Sequence, residues 1–432
     1  MIPTRHLFAL LFLAGVFIME GYDIAAMGLA VPRLEDSLGL ARENFGWVFS
    51  ALLVGIGVGG ALIAPFGDRF GRRLLIVLGC VATGGFTLAT SSATSVTEFL
   101  IWRGLTGVAL GAALPNVSAL SAELAPDKLR ATVMAVVSAG IPLGIAIAGI
   151  ISPEVTGWAG WQGLFYVPGT LALLLAAILW LVLDPGVPAH SSNGEKAAKA
   201  PQLELFKLPW VVPFAVFAAM LSLNAMNLYL LNSWIPSVLP DAGFGQDLSD
   251  RISGIVQLAG IAIGVVACFG IDRWRPTTTL VLMFGAMAVC FLGVSLSTPD
   301  AGLWVALLSV GVGGASAGGM ALPALCVYLF SARLLSTAIG MGVMVARLGA
   351  FAGPVIGGAI LDAELGPHAF FFAAAIPALF CTVLALLVPM ALRTKKQEES
   401  ASGSEVEAPD ALTEAPAIGR EHDEVAVPAD KR

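Results

Sequence analysis

The sequence predicts an all-α membrane protein with twelve transmembrane helices in two six-helix halves. Three observations lead to this fold class: 57% of the 432 residues are hydrophobic, only 12% are charged, and apolar stretches of membrane-spanning length recur along the chain. A soluble domain typically carries about 25% charged residues, and folding in water buries at most about three-quarters of a chain's surface. Lipid must therefore be the solvent for most of this chain, which excludes a secreted or cytosolic globular protein.

Twelve apolar stretches have the length of about 20 residues that a helix needs to cross a bilayer core of about 30 Å. The first is preceded by only Arg5 and His6 and shows no clean cleavage site, so we expect a retained helix rather than a signal peptide. In chain order, the predicted spans cover residues 7–31, 44–66, 73–92, 95–122, 129–152, 161–183, 209–231, 251–272, 276–297, 301–330, 335–360 and 368–392.

Basic residues in the loops predict the orientation of these spans, because cytoplasmic loops carry an excess of Lys and Arg. If the N-terminus is cytoplasmic, the loops on the opposite side hold only Arg33, Arg42 and Arg251, and nearly all other Lys and Arg residues fall on the cytoplasmic side. A helix count that was wrong by one would remove this asymmetry. We therefore expect a multi-pass protein of the cell's inner membrane with both termini in the cytoplasm.

The chain divides around a polar segment that is rich in small residues. We expect this segment, residues 184–208, to be a cytoplasmic linker between an N-terminal six-helix half, residues 1–183, and a C-terminal half, residues 209–392. The tail, residues 393–432, is rich in Ala, Glu and Pro, a composition typical of disorder. Weak repeats relate the halves: GDR at 67–69 corresponds to GIDR at 270–273. Such duplication is typical of transporters that bind substrate between two halves at mid-membrane.

Other function classes lack sequence support. The five cysteines lie in apolar runs without a CxxC pair, so we expect buried hydrophobic side chains rather than metal ligands. A membrane-embedded enzyme would need a motif such as HExxH, or GxSxG with a partner histidine, and the chain shows neither. We therefore expect a protein that is not an enzyme, holds no metal or other cofactor, and has no nucleic-acid partner.

Residues 67–73 (GDRFGRR) follow the second predicted span. They resemble the cytoplasmic loop motif of the major facilitator superfamily, GxLADRxGRR, although Ala64 replaces its first glycine and its LAD core reads FGD. The resemblance implies a salt-bridged latch, whereas basic residues that merely set the topology are the alternative. Glu123 is expected to pair with Arg130 or with the Asp68 loop, or to be a solvated acid at a helix end. The predicted latch residues are Asp68, Arg69, Arg72, Arg73, Glu123, Arg130 and Arg333.

Four further stretches resemble the aromatic acid/proton symporter family. Residues 19–23 (MEGYD) are similar to its first-helix motif (D/E)G(F/Y)D, although Glu20 stands where many members have Asp. The other stretches are 103–116 in its fourth helix, NSWIP at 232–236, and RLG at 347–349 in its eleventh helix. The similarity extends to about residue 392, and hydroxyphenylpropionate and hydroxybenzoate carriers are the most similar branch. It implies a monomeric, proton-coupled transporter that imports a small aromatic carboxylate by alternating access.

Glu20 and Asp23 are the candidate proton carriers. They are three residues apart and so share one face of a helix, and each charge at mid-membrane would cost about 2.5–3.5 kcal/mol on insertion scales. Both acids must therefore face the protein interior, where burial and a neighbouring acid favour the protonated form of a carboxyl group. The alternative is that Asp23 forms a permanent buried bridge with Arg103.

Arg103 and Arg347 are the basic residues predicted inside helices, one in each half. A guanidinium matches a carboxylate in bidentate fashion, so an anionic substrate fits better than a sugar or a cation. Either arginine qualifies as the anion site, and Arg347 is alternatively a gating residue.

Other polar side chains are predicted to complete the substrate site. Asn224 and Asn227 are three residues apart in the seventh span, where they either hydrogen-bond a phenolic hydroxyl of the substrate or tie helices together. Tyr22 and Asn116, from the stretches that resemble the symporter family, are also assigned to this site.

A proton-antiporting exporter of drugs or metabolites is the alternative function. Exporters of this superfamily usually carry a Gly-Pro pair in the fifth helix. This chain reads GIP at 140–142 instead and has its Gly-Pro pair at 353–354 in the eleventh span. The sequence therefore favours symport of an anion.

Overall fold

The computed structural model describes residues 4–126, 129–183, 202–274 and 276–406. Two short 3-10 helices, Arg42–Asn44 and Gln202–Phe206, accompany fourteen α-helices in these ranges. In chain order the α-helices are α1 (Thr4–Leu38), α2 (Phe45–Leu62), α3 (Phe66–Phe70), α4 (Arg72–Thr90), α5 (Val96–Leu124), α6 (Arg130–Ser138), α7 (Gly140–Ala159), α8 (Gly163–Val182), α9 (Val211–Asp241), α10 (Gln246–Arg273), α11 (Pro276–Leu296), α12 (Ala301–Leu329), α13 (Ala332–Asp362) and α14 (Gly366–Val406).

Twelve segments of the described chain are long and apolar enough to cross a membrane, which confirms the predicted all-α transmembrane fold. Helix α3 is too short to span, and α6 and α7 together supply the fifth span, Thr132–Ala159. The break between them falls at Ala139. Its physical cause is Pro142, which lacks the N–H that would bond to the carbonyl of Ser138 one turn earlier.

Several helices run well beyond their predicted spans. Helix α9 continues to Asp241, where its predicted span ends at residue 231. Helix α1 continues to Leu38, past Pro32 and several charged residues, although the first predicted span ends at residue 31. Helix α14 continues to Val406, so residues 393–406 are helical where the sequence predicts a disordered tail. Hydropathy marks only the apolar part of a helix, and Lys, Gln, Glu and Ala are good helix formers in water. Residues 184–201 of the predicted linker and 407–432 of the predicted tail lie outside the described residues.

The first six spans and the last six repeat one packing pattern. In the first set, here called the N half (residues 4–183), α1 packs on α7 and α8, α5 packs on α2 and α4, and α4 packs on α8. In the second set, the C half (residues 202–406), α9 packs on α13 and α14, α12 packs on α10 and α11, and α11 packs on α14. Each contact in one half has its counterpart in the other, which is the arrangement expected of a duplicated unit.

The two halves meet through three helix pairs: α1 with α9, α2 with α13, and α7 with α10. The α7–α10 pair is held close by glycine, since a Cβ atom on Gly149 would lie 2.6 Å from the backbone nitrogen of Gly254. Small residues permit such backbone approach between membrane helices. The interface between the halves places α1, α9 and α13 beside one another at mid-membrane.

We call the end of the bundle that holds residues 63–71 and 125–126 the terminal side, because it also holds both ends of the described chain. The opposite end, with residues 39–44 and 242–245, is the far side.

Candidate functional site

The acid pair of α1 is buried, as its sequence spacing predicts. Asp23 is 0% exposed and Glu20 is 4% exposed. A carboxylate at this depth is stable only when it is protonated or when charges and hydrogen bonds compensate it. The two acids meet this requirement in different ways.

Asp23 is fully engaged within the N half. One carboxylate oxygen accepts a hydrogen bond from Nη1 of Arg103 at 2.8 Å, and the other accepts one from the hydroxyl of Thr87 at 3.0 Å. The Nη2 group of Arg103 also donates to the main-chain carbonyl of Asp23 at 3.0 Å. Arg103 is itself only 1% exposed. The pair therefore joins α1 to α5 and, through Thr87, to α4.

Glu20 has a different environment. Its Oε2 atom is buried and has no hydrogen-bond partner among the described residues. The positive charge that acts on it is the guanidinium of Arg347, from α13 of the C half. Arg347 has no carboxylate within 4.0 Å in the described chain, and its side chain is half-buried. Tyr229 of α9 is half-buried and lies close to the same guanidinium.

The two arginines inside the spans are thus not equivalent. Arg103 is sequestered by Asp23, whereas Arg347 has no such carboxylate partner in the described chain and interacts with Glu20 and, through a side-chain hydrogen bond, with Tyr229. Arg347 also sits near the middle of its span, Thr337–Asp362, rather than at one end. The structure therefore brings Glu20, Arg347 and Tyr229 together where the two halves meet. We call these three residues the central cluster.

The predicted substrate residues outside this cluster are dispersed. Tyr22 is buried with its hydroxyl unpartnered in the described chain. Asn116 lies on α5 about 20 Å along the helix from Arg103, and it donates to the carbonyls of Ala64 and Ala112 at 3.1 and 2.9 Å. The structure does not bring Asn116 to the central cluster, because its amide ties α5 to the segment after α2.

Asn224 and Asn227 also bond within their own half. Nδ2 of Asn224 donates to the carbonyl of Ala315 in α12 at 3.0 Å, and Nδ2 of Asn227 donates to that of Ala374 in α14 at 2.9 Å. Of the two alternatives for this pair, the geometry matches helix tying. The Nδ2 groups thus bond inside the C half, whereas the Oδ1 atoms of both amides are buried without a hydrogen-bond partner in the described chain.

The predicted latch residues form contacts on the terminal side, within the N half. Arg72 bonds to Asp68 at 3.0 Å and to Glu123 at 2.6 Å, so the partner of Glu123 is the arginine that starts α4. Arg73 donates to the carbonyl of Trp180 and lies 4.3 Å above its ring.

The remaining predicted latch residues make other contacts. Arg69 is exposed beside the ring of Phe70, and Arg130 donates to the carbonyl of Ala122 at 3.0 Å. The side chain of Arg333 lies outside the described part of the chain.

Sequence reasoning missed a set of ion pairs that join the two halves on the far side. Asp250, at 0% exposure, accepts from Arg33 and from Ser152 of the N half, each at 2.7 Å, and from Gln246 of its own helix at 2.9 Å. These bonds are supplemented by Arg42–Asp241 at 2.9 Å and Arg251–Glu154 at 2.5 Å. Asp247 and Asp250, just before the predicted start of the eighth span, are the signal that could have indicated these ion pairs. They are acids on the same side of the membrane as the basic loop residues that served only to assign the topology. We call these ion pairs the far-side gate.

Comparison with known proteins agrees with this architecture. The sequence profile of the Major Facilitator Superfamily matches residues 11–354. The 3-(3-hydroxy-phenyl)propionate transporter of Escherichia coli (strain K12) is 30% identical over 88% of this chain and 93% of its own. The gallate transporter of Pseudomonas putida is 28% identical, covering 86% and 89%.

A solved structure shows the same fold. The crystal structure of a D-xylose-proton symporter superposes with a TM-score of 0.72 at 19% identity, over 89% of this chain and 97% of that one. These similarities confirm the predicted resemblance and the prediction of a membrane transporter rather than an enzyme. The profile match covers most of the chain, and the packing pattern repeats between the halves. This protein therefore belongs to the major facilitator superfamily.

Proposed function

We propose that this chain is a proton-coupled importer of a small aromatic carboxylate, working by alternating access as a monomer in the inner membrane with both termini in the cytoplasm. The named substrates of the two relatives support the substrate class. The observation that carries the proposal is the central cluster, in which an arginine with no carboxylate within 4.0 Å in the described chain acts on a buried carboxyl group with an unpartnered oxygen. The rest of the proposal follows from the charges of these two groups.

Arg347 is the proposed anion site. A guanidinium remains protonated and binds a carboxylate through two parallel hydrogen bonds. Arg103 is unsuited to this task because binding a substrate there would break its bonds to Asp23, both partners being almost fully buried. The Asp23–Arg103 pair is instead proposed to hold α1 against α5 while the cycle proceeds.

Glu20 is the proposed proton carrier. Its Oε2 atom lacks a hydrogen-bond partner in the described chain, which suits a carboxyl group that is protonated for part of the cycle. Asp23 accepts bonds on both of its oxygens, so protonating it would sacrifice an ion pair. The sequence did not decide between the two acids, whereas their different contacts support different proposed roles.

Charge balance in the central cluster couples the proton to the substrate. In the empty carrier, ionised Glu20 neutralises Arg347. In the loaded carrier, a proton neutralises Glu20 and the substrate carboxylate neutralises Arg347. A carrier with only one of the two ligands would hold an unbalanced buried charge, which is strongly unfavourable in a medium of low dielectric constant. Only the empty and the doubly loaded forms are therefore expected to close and to change their access.

This balance also determines the driving force. One proton with one monoanion moves no net charge, so a membrane potential, worth about 2.3 kcal/mol per charge at 100 mV, does not contribute. Each unit of pH difference contributes about 1.36 kcal/mol. Accumulation is therefore expected to follow the pH gradient.

The ion pairs of the far-side gate indicate to which state of the proposed cycle this structure belongs. With the termini in the cytoplasm, the far side is the outer face of the membrane, and ion pairs between Arg33, Asp250 and their neighbours close it. We infer that the carrier is here in the state closed to the outside.

Uptake into proteoliposomes tests this function. Labelled hydroxybenzoate, hydroxyphenylpropionate and a sugar are supplied outside, with an acidic exterior and with or without a protonophore. The wild-type protein is expected to accumulate the aromatic acids only in the absence of protonophore. Glu20→Gln is expected to abolish accumulation against a gradient while retaining exchange, because its amide imitates a permanently protonated acid. Asp36→Asn, at an exposed acid of the same helix, is the matched control and should behave like wild type.

Two results would contradict this proposal. Accumulation in the Glu20→Gln variant that a protonophore still collapses would remove Glu20 from proton coupling. Failure of the wild-type protein to take up any aromatic acid, together with proton-driven extrusion of an apolar cation, would support the exporter alternative instead.

A further inference from the structure

A chain of hydrogen-bonded polar side chains lies in the C half, next to its interface with the N half. The hydroxyl of Ser316, on α12, donates to Oε1 of Gln257 on α10 at 3.1 Å. Nε2 of Gln257 in turn donates to Oδ1 of Asn232 on α9 at 2.5 Å. Gln257 is only 1% exposed. Three helices thus supply one polar group each to an otherwise apolar interior.

The direction of this chain leaves a donor free at its end. Because Ser316 donates to the oxygen of Gln257, the nitrogen of that amide points to Asn232, and Asn232 receives this bond on its own oxygen. The Nδ2 group of Asn232 then has no acceptor among the described residues. Its Oδ1 atom also keeps a second lone pair. Asn232 therefore presents an available donor and an available acceptor side by side.

Asn232 and Gln257 line a narrow cleft between the two halves. The opposite wall is apolar and consists of Ala25 and Leu29 of α1 and Ile145 of α7. In this arrangement the cleft has room for a group about the size of one water molecule. It is too small for an aromatic ring, but it can take a hydroxyl group that projects from a ring lying outside it.

The cleft lies one helical turn beyond the central cluster. Asn232 follows Tyr229 by three residues on α9, so both side chains leave the same face of that helix. Their separation along the axis is about 5 Å, which is comparable with the width of a benzene ring. A ring whose carboxylate binds Arg347 beside Tyr229 would therefore direct a substituent on its other end towards Asn232.

We propose that Asn232, oriented by Gln257 and Ser316, recognises a ring hydroxyl group of the transported acid. This inference rests on the proposed function, since it assigns the second end of the same substrate. A phenolic hydroxyl both accepts and donates a hydrogen bond, and the amide of Asn232 offers the two complementary groups. Asn224 and Asn227 were suggested by the sequence for this task. Their Nδ2 groups donate to main-chain carbonyls of α12 and α14, and only their Oδ1 atoms are left without a partner in the described chain.

Such a site discriminates against acids that lack the hydroxyl group. An unsubstituted ring would cover the amide of Asn232 without offering a partner, and a buried polar group without a partner is unfavourable. One neutral hydrogen bond of this kind corresponds to a preference of about tenfold. The carrier is therefore expected to prefer hydroxybenzoate to benzoate by about this factor.

Competition experiments on the full-length protein test this assignment. Benzoate, 3-hydroxybenzoate and 4-hydroxybenzoate compete with a labelled aromatic acid for uptake into proteoliposomes, and the ratio of their inhibition constants is the readout. Asn232→Leu removes the amide and keeps the branching of the side chain, and Ser316→Ala removes only the first hydroxyl of the chain. Asn227→Leu is the matched control, because its amide on the same helix bonds to α14 instead of lining the cleft.

The expected result is a tenfold preference for one or both hydroxylated acids in wild type. It should be lost in Asn232→Leu, reduced in Ser316→Ala and retained in Asn227→Leu, while benzoate uptake persists. If Asn232→Leu does not fold, Ser316→Ala decides the question. A wild-type protein that transports all three acids equally, or a preference that survives both variants, would overturn this inference and leave the proposed function intact. A wild-type protein that transports none of them would overturn both.

Discussion

Removing the Asp250 carboxylate should weaken the closure of the far side. Asp250 is 0% exposed and accepts hydrogen bonds from Arg33 and Ser152 across the boundary between the halves. In Asp250→Asn, the guanidinium of Arg33 loses its counter-ion while its side chain remains only 17% exposed. Asp250 belongs to the C half, whereas Arg33 and Ser152 belong to the N half. Losing these bonds therefore destabilises the closed state and not the state in which the two halves have separated on the far side.

The size of the effect follows from this burial. Removing one member of a buried ion pair costs about 3–5 kcal/mol, and we take about 2 kcal/mol here because Arg33 retains some contact with solvent. A difference of about 2 kcal/mol shifts the equilibrium between closed and open far sides by about 30-fold. The exposed Asp247, whose side chain is 77% exposed and 4.0 Å from the same arginine, should contribute little.

Chemical labelling from outside measures this shift. A cysteine in place of Leu29, which lines the cleft and is 1% exposed, reacts with a membrane-impermeant thiol reagent only when the far side opens. We expect the labelling rate to rise by about 30-fold in Asp250→Asn and to stay near the parent value in Asp247→Asn. Equal rates in the two variants would refute the reasoning, since the buried and the exposed acid would then be equivalent.

Three further predictions concern stability and closure. Asp23→Asn leaves the buried Arg103 without its counter-ion, so we expect a loss of about 3–5 kcal/mol, seen as a lower unfolding temperature in detergent that Glu20→Gln does not show. Gly149→Val places a side chain against the backbone of α10 and should hold the far side open, with rapid labelling at position 29 and no net uptake. Glu123→Gln removes one half-exposed partner of Arg72 and should cost only about 0.5–1 kcal/mol in denaturant unfolding. A larger cost would mean that the latch contacts are shielded from water.

Much of the fold could be predicted from local sequence. Apolar length alone predicted twelve spans, because every backbone polar group inside a membrane must be satisfied within its own helix. Helix ends were harder to place. Helix α1 continues past Pro32 and α14 continues to Val406, and neither extension is apolar. Hydropathy detects contact with lipid and contains no information on helices that continue into water.

The candidate site could be predicted only in part. The buried acids of α1 and the arginines of α5 and α13 stood out, since charge within a membrane span is rare and marks function. The Asp23–Arg103 pair was one of the alternatives for Asp23, and the sequence could not decide between them because the distances between side chains of different helices are set only when the helices pack. The same limit applied to Asn224 and Asn232, two amides on one helix whose neighbours come from different helices.

The sequence by itself determined the solvent of this protein, the number of its spans and the short set of charged groups that the membrane interior must accommodate. These properties depend on composition and on distance along a single helix. Tertiary structure decided which acid is neutralised by an arginine, which arginine remains available, and which face is closed by Asp250. Such choices depend on contacts between residues 80 or more positions apart, as between Asp23 and Arg103 or between Asp250 and Ser152. Only the packing of whole helices brings these residues within hydrogen-bond distance.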